Sequence, residues 1–318
     1  MSNIIYFVVP CYNEEAVLEV TAQKLMEKVE SLIQRDVISP KSRITFVDDG
    51  SKDQTWPMIK ELSTTHHLIS GVKLSRNRGH QNALLAGLMT VKDLCDATIS
   101  LDADLQDDID VIDQFIDKFL NESCDVVYGV RNDRTTDTGF KRHTAQMFYK
   151  IMNQLGADIV YNHADYRLLS RRALNGLSEF KEVNLFLRGL VPLVGYKSDV
   201  VYYERHERFA GESKYPLKKM IAFAIEGITS LSVKPIRLVT TLGISVFVIS
   251  LIPLLYSLVQ WMNGNTIKGW TTLILSIWTL GGLQILCIGV IGEYIGKIYL
   301  ESKQRPRFIV EEFINEVD

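Results

Sequence analysis

The chain lacks most of the short signatures that assign a chemistry at once. It has no CxxC pair: its four cysteines, Cys11, Cys95, Cys124 and Cys287, are scattered. That argues against a zinc site or a disulfide framework and suits a reducing compartment. No GxGxxG or GxxxxGK(S/T) occurs, which disfavours a dinucleotide oxidoreductase or an ATPase, and there is no GxSxG nucleophile elbow. A net charge of -3 over 318 residues gives no global bias toward nucleic acid. The opening MSNIIYFVVP has neither a basic start nor a small-residue cleavage site, so no signal peptide is expected. Charge itself is missing from two long stretches, Val239–Ile267 and Gly269–Gly292, separated by Lys268. Each supplies the roughly 20 apolar residues that cross a bilayer. Two buried core helices are the alternative, and the length and closeness of the stretches argue against it.

What is present begins with an alternation. Strand-like runs at Ile4–Val9, Ile44–Val47, Leu68–Leu74, Ala97–Leu101 and Val126–Val130 alternate with helix-like runs at Ala16–Ile33, Gln54–Leu62, Gln81–Val91 and Ile109–Leu120. Such a series predicts an α/β domain with a mainly parallel sheet and helices on both faces. Ligands in such sheets bind outside the carboxyl ends of the strands. Farther on, the pattern predicts a helix over Lys141–Leu155 and short strands at Tyr166–Leu169 and Val200–Tyr203. A helix is expected over Leu217–Leu231, beside Lys218 and Lys219; an ordinary domain helix is the alternative, and its position before a spanning segment favours the membrane surface.

Acidic clusters fall where those strands end. In LDADLQDD, Asp102 and Asp104 are one residue apart; if the backbone stays extended past Leu101, both side chains point the same way. Nearby carboxylates repel unless something positive sits between them, and Mg2+ or Mn2+ prefers such oxygen ligands shared with phosphate. A helix cap accounts for Asp107 or Asp108 but not for this pair. VDDGSKDQT ends the second strand: Asp48 and Asp49 suit hydrogen bonds to a base or ribose, Gly50 suits a tight turn, and Ser51 or Asp53 suits a cap. PCYNEE adds Tyr12 and Glu14 to the same rim. Tyr12 either packs beside a base or fills a core edge. In SRNRGHQN, Arg76 and Arg78 either neutralise phosphates or pair with the aspartates, and His80 is a cap, an ordinary polar residue or a participant in chemistry. Together these features predict a cytoplasmic nucleotide–metal site beside a membrane hairpin, with a water-soluble donor and a lipid-borne acceptor.

The ordered set VVPCYNEE, VDDGSKDQT, LSRNRGHQNALLAGL, LDADLQDD, DYRLLSRR, RGLVPLVGYK and FAGESKYPLKK resembles the GT-A glycosyltransferases of family 2. Within them it is most similar to the polyprenyl-phosphate glycosyltransferases, the group of bactoprenol glucosyltransferases and dolichol-phosphate mannose synthases, in their two-span bacterial branch. The resemblance covers nearly the whole chain. It implies a GT-A nucleotide-sugar-binding fold, an interfacial helix and a C-terminal two-helix transmembrane hairpin. It implies inverting transfer of a sugar, glucose first and N-acetylglucosamine next, from a UDP-sugar to undecaprenyl phosphate for cell-envelope glycan modification. By the same resemblance, Pro10, Tyr12, Glu14, Asp48 and Asp49 hold the nucleotide, with Asp49 the likelier uracil contact. Asp102 and Asp104, flanking Ala103, place Mg2+ or Mn2+ on the diphosphate, and Gln106 lines the donor site. Asp165 matches a proposed catalytic base; the alternative is a structural carboxylate paired with Arg167 or another arginine, or one that orients the acceptor. Arg208, Lys214 and Arg131 are the leading basic groups for acceptor and leaving-group charge, with Arg134, Lys141, Arg142 and Arg205 as further acceptor-phosphate candidates. The family form DADLQDP has proline where this chain has Asp108.

The expected organisation is a catalytic domain over 1–215, an amphipathic juxtamembrane region over 216–236, two spans over 237–293 and a tail over 294–318. Lys218, Lys219, Lys234 and Arg237 precede the first span, and Lys297, Lys303, Arg305 and Arg307 follow the second. The positive-inside rule then puts the catalytic domain and both termini in the cytoplasm of a bacterial cell membrane. Membrane lipids and a homo-oligomer, with tetramers among the family's assemblies, are the expected partners; nucleic acid is not. A processive polysaccharide synthase is the first rival, disfavoured by two spans and by the lack of a QxxRW-like segment. A non-catalytic receptor for nucleotide sugars is the second. A flippase is disfavoured because two spans enclose little passage.

Overall fold

The computed structural model describes residues 2–131, 163–183, 185–204, 234–263 and 269–315. The predicted helices over 141–155 and 217–231 lie outside them, as do Arg134, Lys141, Arg142, Arg205, Arg208 and Lys214.

The first half of the chain folds as the alternation predicts. In order come β1 (Ile5–Cys11), α1 (Leu18–Gln34), β2 (Arg43–Asp48), α2 (Thr55–Thr65), β3 (Ile69–Leu74), α3 (His80–Val91), β4 (Ala97–Ser100), a 3-10 turn (Ile109–Val111), α4 (Ile112–Leu120) and β5 (Val126–Arg131). Then follow β6 (His163–Ser170), α5 (Arg171–Ser178), α6 (Leu187–Leu193), β7 (Ser198–Tyr203), α7 (Lys234–Met262), α8 (Trp270–Lys303) and β8 (Val310–Ile314). The strands form one sheet in the order β7-β5-β6-β4-β1-β2-β3-β8. Pairings β1–β2, β1–β4, β2–β3 and β5–β7 are parallel; β6 and β8 run antiparallel to their neighbours.

Both faces of the sheet are covered. Every residue of β1 and β2 is buried, as expected of strands with helices on both sides. On one face, Leu18, Ala22, Leu25, Val29 and Leu32 of α1 recur at helical spacing and pack with Ile112, Phe115 and Ile116 of α4. The other face carries α3, α5 and α6. A Cβ at Gly87 of α3 would stand 2.5 Å from Val47 and 2.6 Å from Val8, so this glycine lets the helix lie close on β1 and β2.

Register places the site. Parallel pairing aligns Cys11 with Asp48 and Val8 with Ser100, so the chain leaves β1, β2 and β4 on the same side of the sheet. The Asp49 amide bonds the Cys11 carbonyl at 2.9 Å and the Leu101 amide bonds that of Val8 at 3.2 Å.

α7 and α8 do not behave as core helices. Ile252 is 67% exposed and Ile285 73%, a cost of apolar contact with water that a lipid-facing surface removes. α8 contains a stretch, Thr279–Lys303, long and apolar enough to cross a bilayer. It runs past residue 293, where the apolar pattern stops, and ends at Gln304, which adopts a left-handed conformation. The chain then turns back, and β8 covers the free edge of β3.

Candidate active site

Three loops form the rim at the strand ends. After β1, the loop carrying Tyr12 is tied to the loop after β2: the Asn13 amide donates to Ser51 Oγ (3.0 Å), the Lys52 amide to Asn13 Oδ1 (2.9 Å) and the Glu14 amide to Thr55 Oγ1 (2.9 Å). Pro10 is buried beneath, Glu14 is half-buried, and Tyr12 stands 42% exposed, open to a ligand face rather than filling the core. Asp48 is buried and accepts from the Ser51 amide at 3.2 Å. Asp49 accepts from the amides of Arg78 (2.6 Å) and Gly79 (2.8 Å). Burial pushes both carboxyls up, against the lowering pull of these hydrogen bonds. Asp49 therefore anchors the Ser75–Gly79 loop, with both oxygens already engaged once. Gly50, at φ +66°, lets that loop approach: a Cβ there would sit 2.6 Å from Arg76 backbone.

After β4 the chain does not stay extended. It turns at Ala103 and Asp104, and Leu105 is left-handed at φ +53°. Two bonds fix the turn: Thr21 Oγ1 donates to the Ala103 carbonyl at 2.7 Å, and Asp104 Oδ1 accepts from the Gln106 amide at 3.2 Å. Asp102 and Asp104 thus sit on a buried-rooted turn rather than on one face of a continuing strand. Asp108 caps the following turn through the Asp110 amide (2.8 Å), filling the role that proline cannot. Gln106 and Asp107 are buried. Tyr203 donates its hydroxyl hydrogen to Asp107 Oδ1 at 2.6 Å, and Arg131 Nε donates to Tyr203 Oη at 3.2 Å. Among the described residues, Asp107 Oδ2 is buried without a hydrogen-bond partner. Burial and then the Asp102 charge push the Asp107 carboxyl up to about 6.

Asp165 lies near Asp102, across from the head of α3. His80, the first residue of α3, holds Nε2 3.5 Å from Asp102 Oδ1 and 3.7 Å from Asp165 Oδ2. Arg188 of α6 reaches Asp165 Oδ2 at 3.2 Å, and the buried Arg167 guanidinium pairs with Asp165 Oδ1. Burial alone would raise the Asp165 carboxyl, but Arg188, His80 and Arg167 outweigh it and hold it well below the usual carboxylate range. Burial alone would lower the His80 imidazole; Asp165 first and Asp102 next carry it to about 9 instead. A carboxylate held so firmly ionised is a weak proton acceptor and a strong organiser of cations.

The structure therefore brings together Tyr12, Asp48, Asp49, Asp102, Asp104, Gln106, Asp165 and Arg131 around one rim. Sequence reasoning gives Arg188 no role, although RGLVPLVGYK contains it, and leaves His80 open between a cap, an ordinary polar residue and a participant in chemistry. Only the fold reveals them, because their partner Asp165 is remote in sequence. The oxygen-rich turn fits a hard divalent cation: Asp102 and Asp104 are partly accessible, Asp107 has an orphan oxygen among the described residues, and the charges of Asp102 and Asp104 help to raise the Asp107 carboxyl. A second acidic group, Glu122, Cys124 and Asp199, lies where β5 and β7 begin, at the opposite end of the strands. There Lys118 already pairs with both carboxylates, so its positive charge is supplied by the protein.

Residues 6–177 match the family model for glycosyl transferase family 2, and residues 234–298 match that for the GtrB C-terminal hairpin. The chain is 52% identical over 308 residues to the uncharacterized glycosyltransferase YkoT of Bacillus subtilis (strain 168), covering 97% of this chain and 91% of that one. It is 40% identical over 309 residues to the bactoprenol glucosyl transferase of Shigella phage SfV, covering 96% and 98%. A distant likeness among solved structures is glucosyl-3-phosphoglycerate synthase from Mycobacterium tuberculosis, at 16% identity and a TM-score of 0.46 over 72% of this chain and 77% of that one. With the matched domain filling more than half of its length, the chain belongs to glycosyl transferase family 2, and it carries a GtrB-type C-terminal hairpin.

Proposed function

We propose that the protein transfers a sugar, glucose or N-acetylglucosamine, from a UDP-sugar to undecaprenyl phosphate, with inversion at the anomeric carbon. The observation that carries this reading is the juxtaposition of the acidic Asp102–Asp104 turn with the Asp165–Arg188–His80 cluster, in a chain that also matches the GtrB C-terminal hairpin and has an apolar helix long enough to cross a bilayer. One half of the rim suits a nucleotide diphosphate; the other suits an anionic acceptor arriving at a membrane. The relative named bactoprenol glucosyl transferase supports the lipid carrier.

Tyr12 stacks beside the base, and Asp48 and Asp49 fix the base and ribose directly or through the loops they anchor. Asp102 and Asp104, with Gln106 nearby, hold Mg2+ or Mn2+, which when bound offsets diphosphate charge. Asp165 keeps Arg188 and His80 aimed across the rim, where their charge attracts the acceptor phosphate. That phosphate, with a second pKa of about 6, is largely ionised near neutral pH and needs little help from a base. Asp165 therefore acts as an organiser of the acceptor side. Arg131, held by Tyr203, and the basic residues Arg208, Lys214, Arg205, Arg134, Lys141 and Arg142 supply further positive charge for acceptor and leaving group. The hairpin crosses the membrane twice, both termini are cytoplasmic, and the protein assembles as a homo-oligomer.

The test is transfer by the full-length protein in detergent, with undecaprenyl phosphate, Mg2+ or Mn2+ and a panel of UDP-sugars. One donor's sugar moving alone into the lipid fraction is the expected result. A polymer would point to a processive synthase, and nucleotide binding without transfer would point to a receptor.

A further inference from the structure

The chain beyond the second long helix returns to the catalytic domain and touches both segments that flank the Asp165 cluster. Glu301, in the last turns of α8, accepts the Val183 amide at 2.8 Å through Oε2. Arg307 donates to the Phe180 carbonyl. Four residues after Val183, the Leu187 amide donates to Gln81 Oε1 at 2.9 Å, and the next residue is Arg188 on Asp165. Gln81 directly follows His80. One short segment is thus held by α8 at one end and by the cluster at the other.

The second flank is held in the same way. The Ser75 amide donates to the Ile309 carbonyl at 3.0 Å, at the start of the loop that Asp49 anchors and that ends in His80. β8 then pairs with β3, and Lys73 and Lys60 pair with Glu311 and Glu312. Phe180, Phe308 and Val310 pack against the core at this junction, yet a groove of about 270 Å³ remains among Leu85, Met89, Phe180, Pro306 and Phe308. The polar bonds from Glu301 and Arg307 supply the definition that close packing would otherwise give.

We propose that the strap from Glu301 to Glu312 sets the position of Arg188 and His80 from the end of α8, with Glu301 and Arg307 as positioning residues. It acts through the Phe180–Arg188 segment and makes no contact with substrate. Its effect on rate rests on the lipid-transfer reading; its effect on the segment does not.

Hydrogen–deuterium exchange on the full-length protein in detergent tests it, comparing wild type with Glu301→Ala, Glu301→Gln and Arg307→Ala. Peptides covering 180–188 should exchange about five- to tenfold faster in Glu301→Ala and Arg307→Ala, the scale of one lost hydrogen bond. Glu301→Gln keeps an acceptor oxygen and should match wild type, and peptides from β1 should not change. In the transfer assay, kcat should fall about tenfold in Glu301→Ala while KM for the UDP-sugar changes less, since the bonds from the Arg78 and Gly79 amides to Asp49 are left in place. Unchanged exchange over 180–188, an increase shared with β1, or a Gln variant as open as the Ala variant would each overturn the proposal. A wild type that transfers nothing would sink the reaction assignment alone and leave the exchange result to decide the strap.

Discussion

Asp165 shows how a single side chain changes meaning with its surroundings. On spacing and resemblance it reads as a base; among Arg167, Arg188 and His80 it is a counter-ion. Removing it strands Arg167, a guanidinium whose side chain is 1% exposed. Asp165→Ala should therefore destabilise the domain by about 3–5 kcal/mol, read by denaturant unfolding. The pH dependence has a definite sign. The folded carboxyl is depressed, so its contribution is present above the unfolded value and is lost only as pH falls through the lower folded value. The melting-temperature gap between wild type and Asp165→Asn should then hold steady from pH 5 to 6 and narrow as pH rises from about 6.5 toward 9, where His80 loses the proton that Asp165 helps it keep. A gap that closes between pH 7 and 5 would mean that Asp165 takes up a proton in that range.

Among the elements, the loops after β2 and β3 form one unit. Gly50→Ala introduces a Cβ 2.6 Å from the Arg76 carbonyl carbon at a residue with φ +66°. It should cost more than about 1 kcal/mol and displace the loop leading to His80, so transfer should fall further than stability alone accounts for. A variant with wild-type rate and melting temperature would show that this close approach is dispensable. The same elements show what was legible. β1 to β5 and α1 to α4 stand within a few residues of their predicted bounds, because apolar spacing and acidic strand ends are local signals. The Asp102–Asp104 turn was legible as a cluster but not as a turn: Thr21, far away in sequence, pulls the Ala103 carbonyl and bends the chain. α6 escaped notice because it has seven residues and includes Pro192. β8 reads as a charged tail, since Glu311 and Glu312 interrupt its apolar pattern and gain partners only when β3 is beside them.

At the scale of the whole molecule, two solvents meet. The central strands β1, β2 and β4 are buried throughout, whereas α7 and α8 expose isoleucines along their lengths. The proposed topology predicts that Asn265→Cys, between these helices, reacts with a membrane-impermeant maleimide in intact cells, while Asn315→Cys reacts only after lysis. Equal protection of both would contradict a hairpin that crosses. Everything chemical is proposed to occur at the rim formed by the strand ends. The most direct test is the initial rate of sugar transfer to undecaprenyl phosphate by wild type and by Asp102→Ala, with melting temperatures measured alongside. The account predicts a rate at least about 100-fold lower, with melting unchanged, because Asp102 is partly exposed and its proposed role is to hold the donor's cation. An Asp102→Ala protein that is equally folded and transfers at the wild-type rate would contradict it.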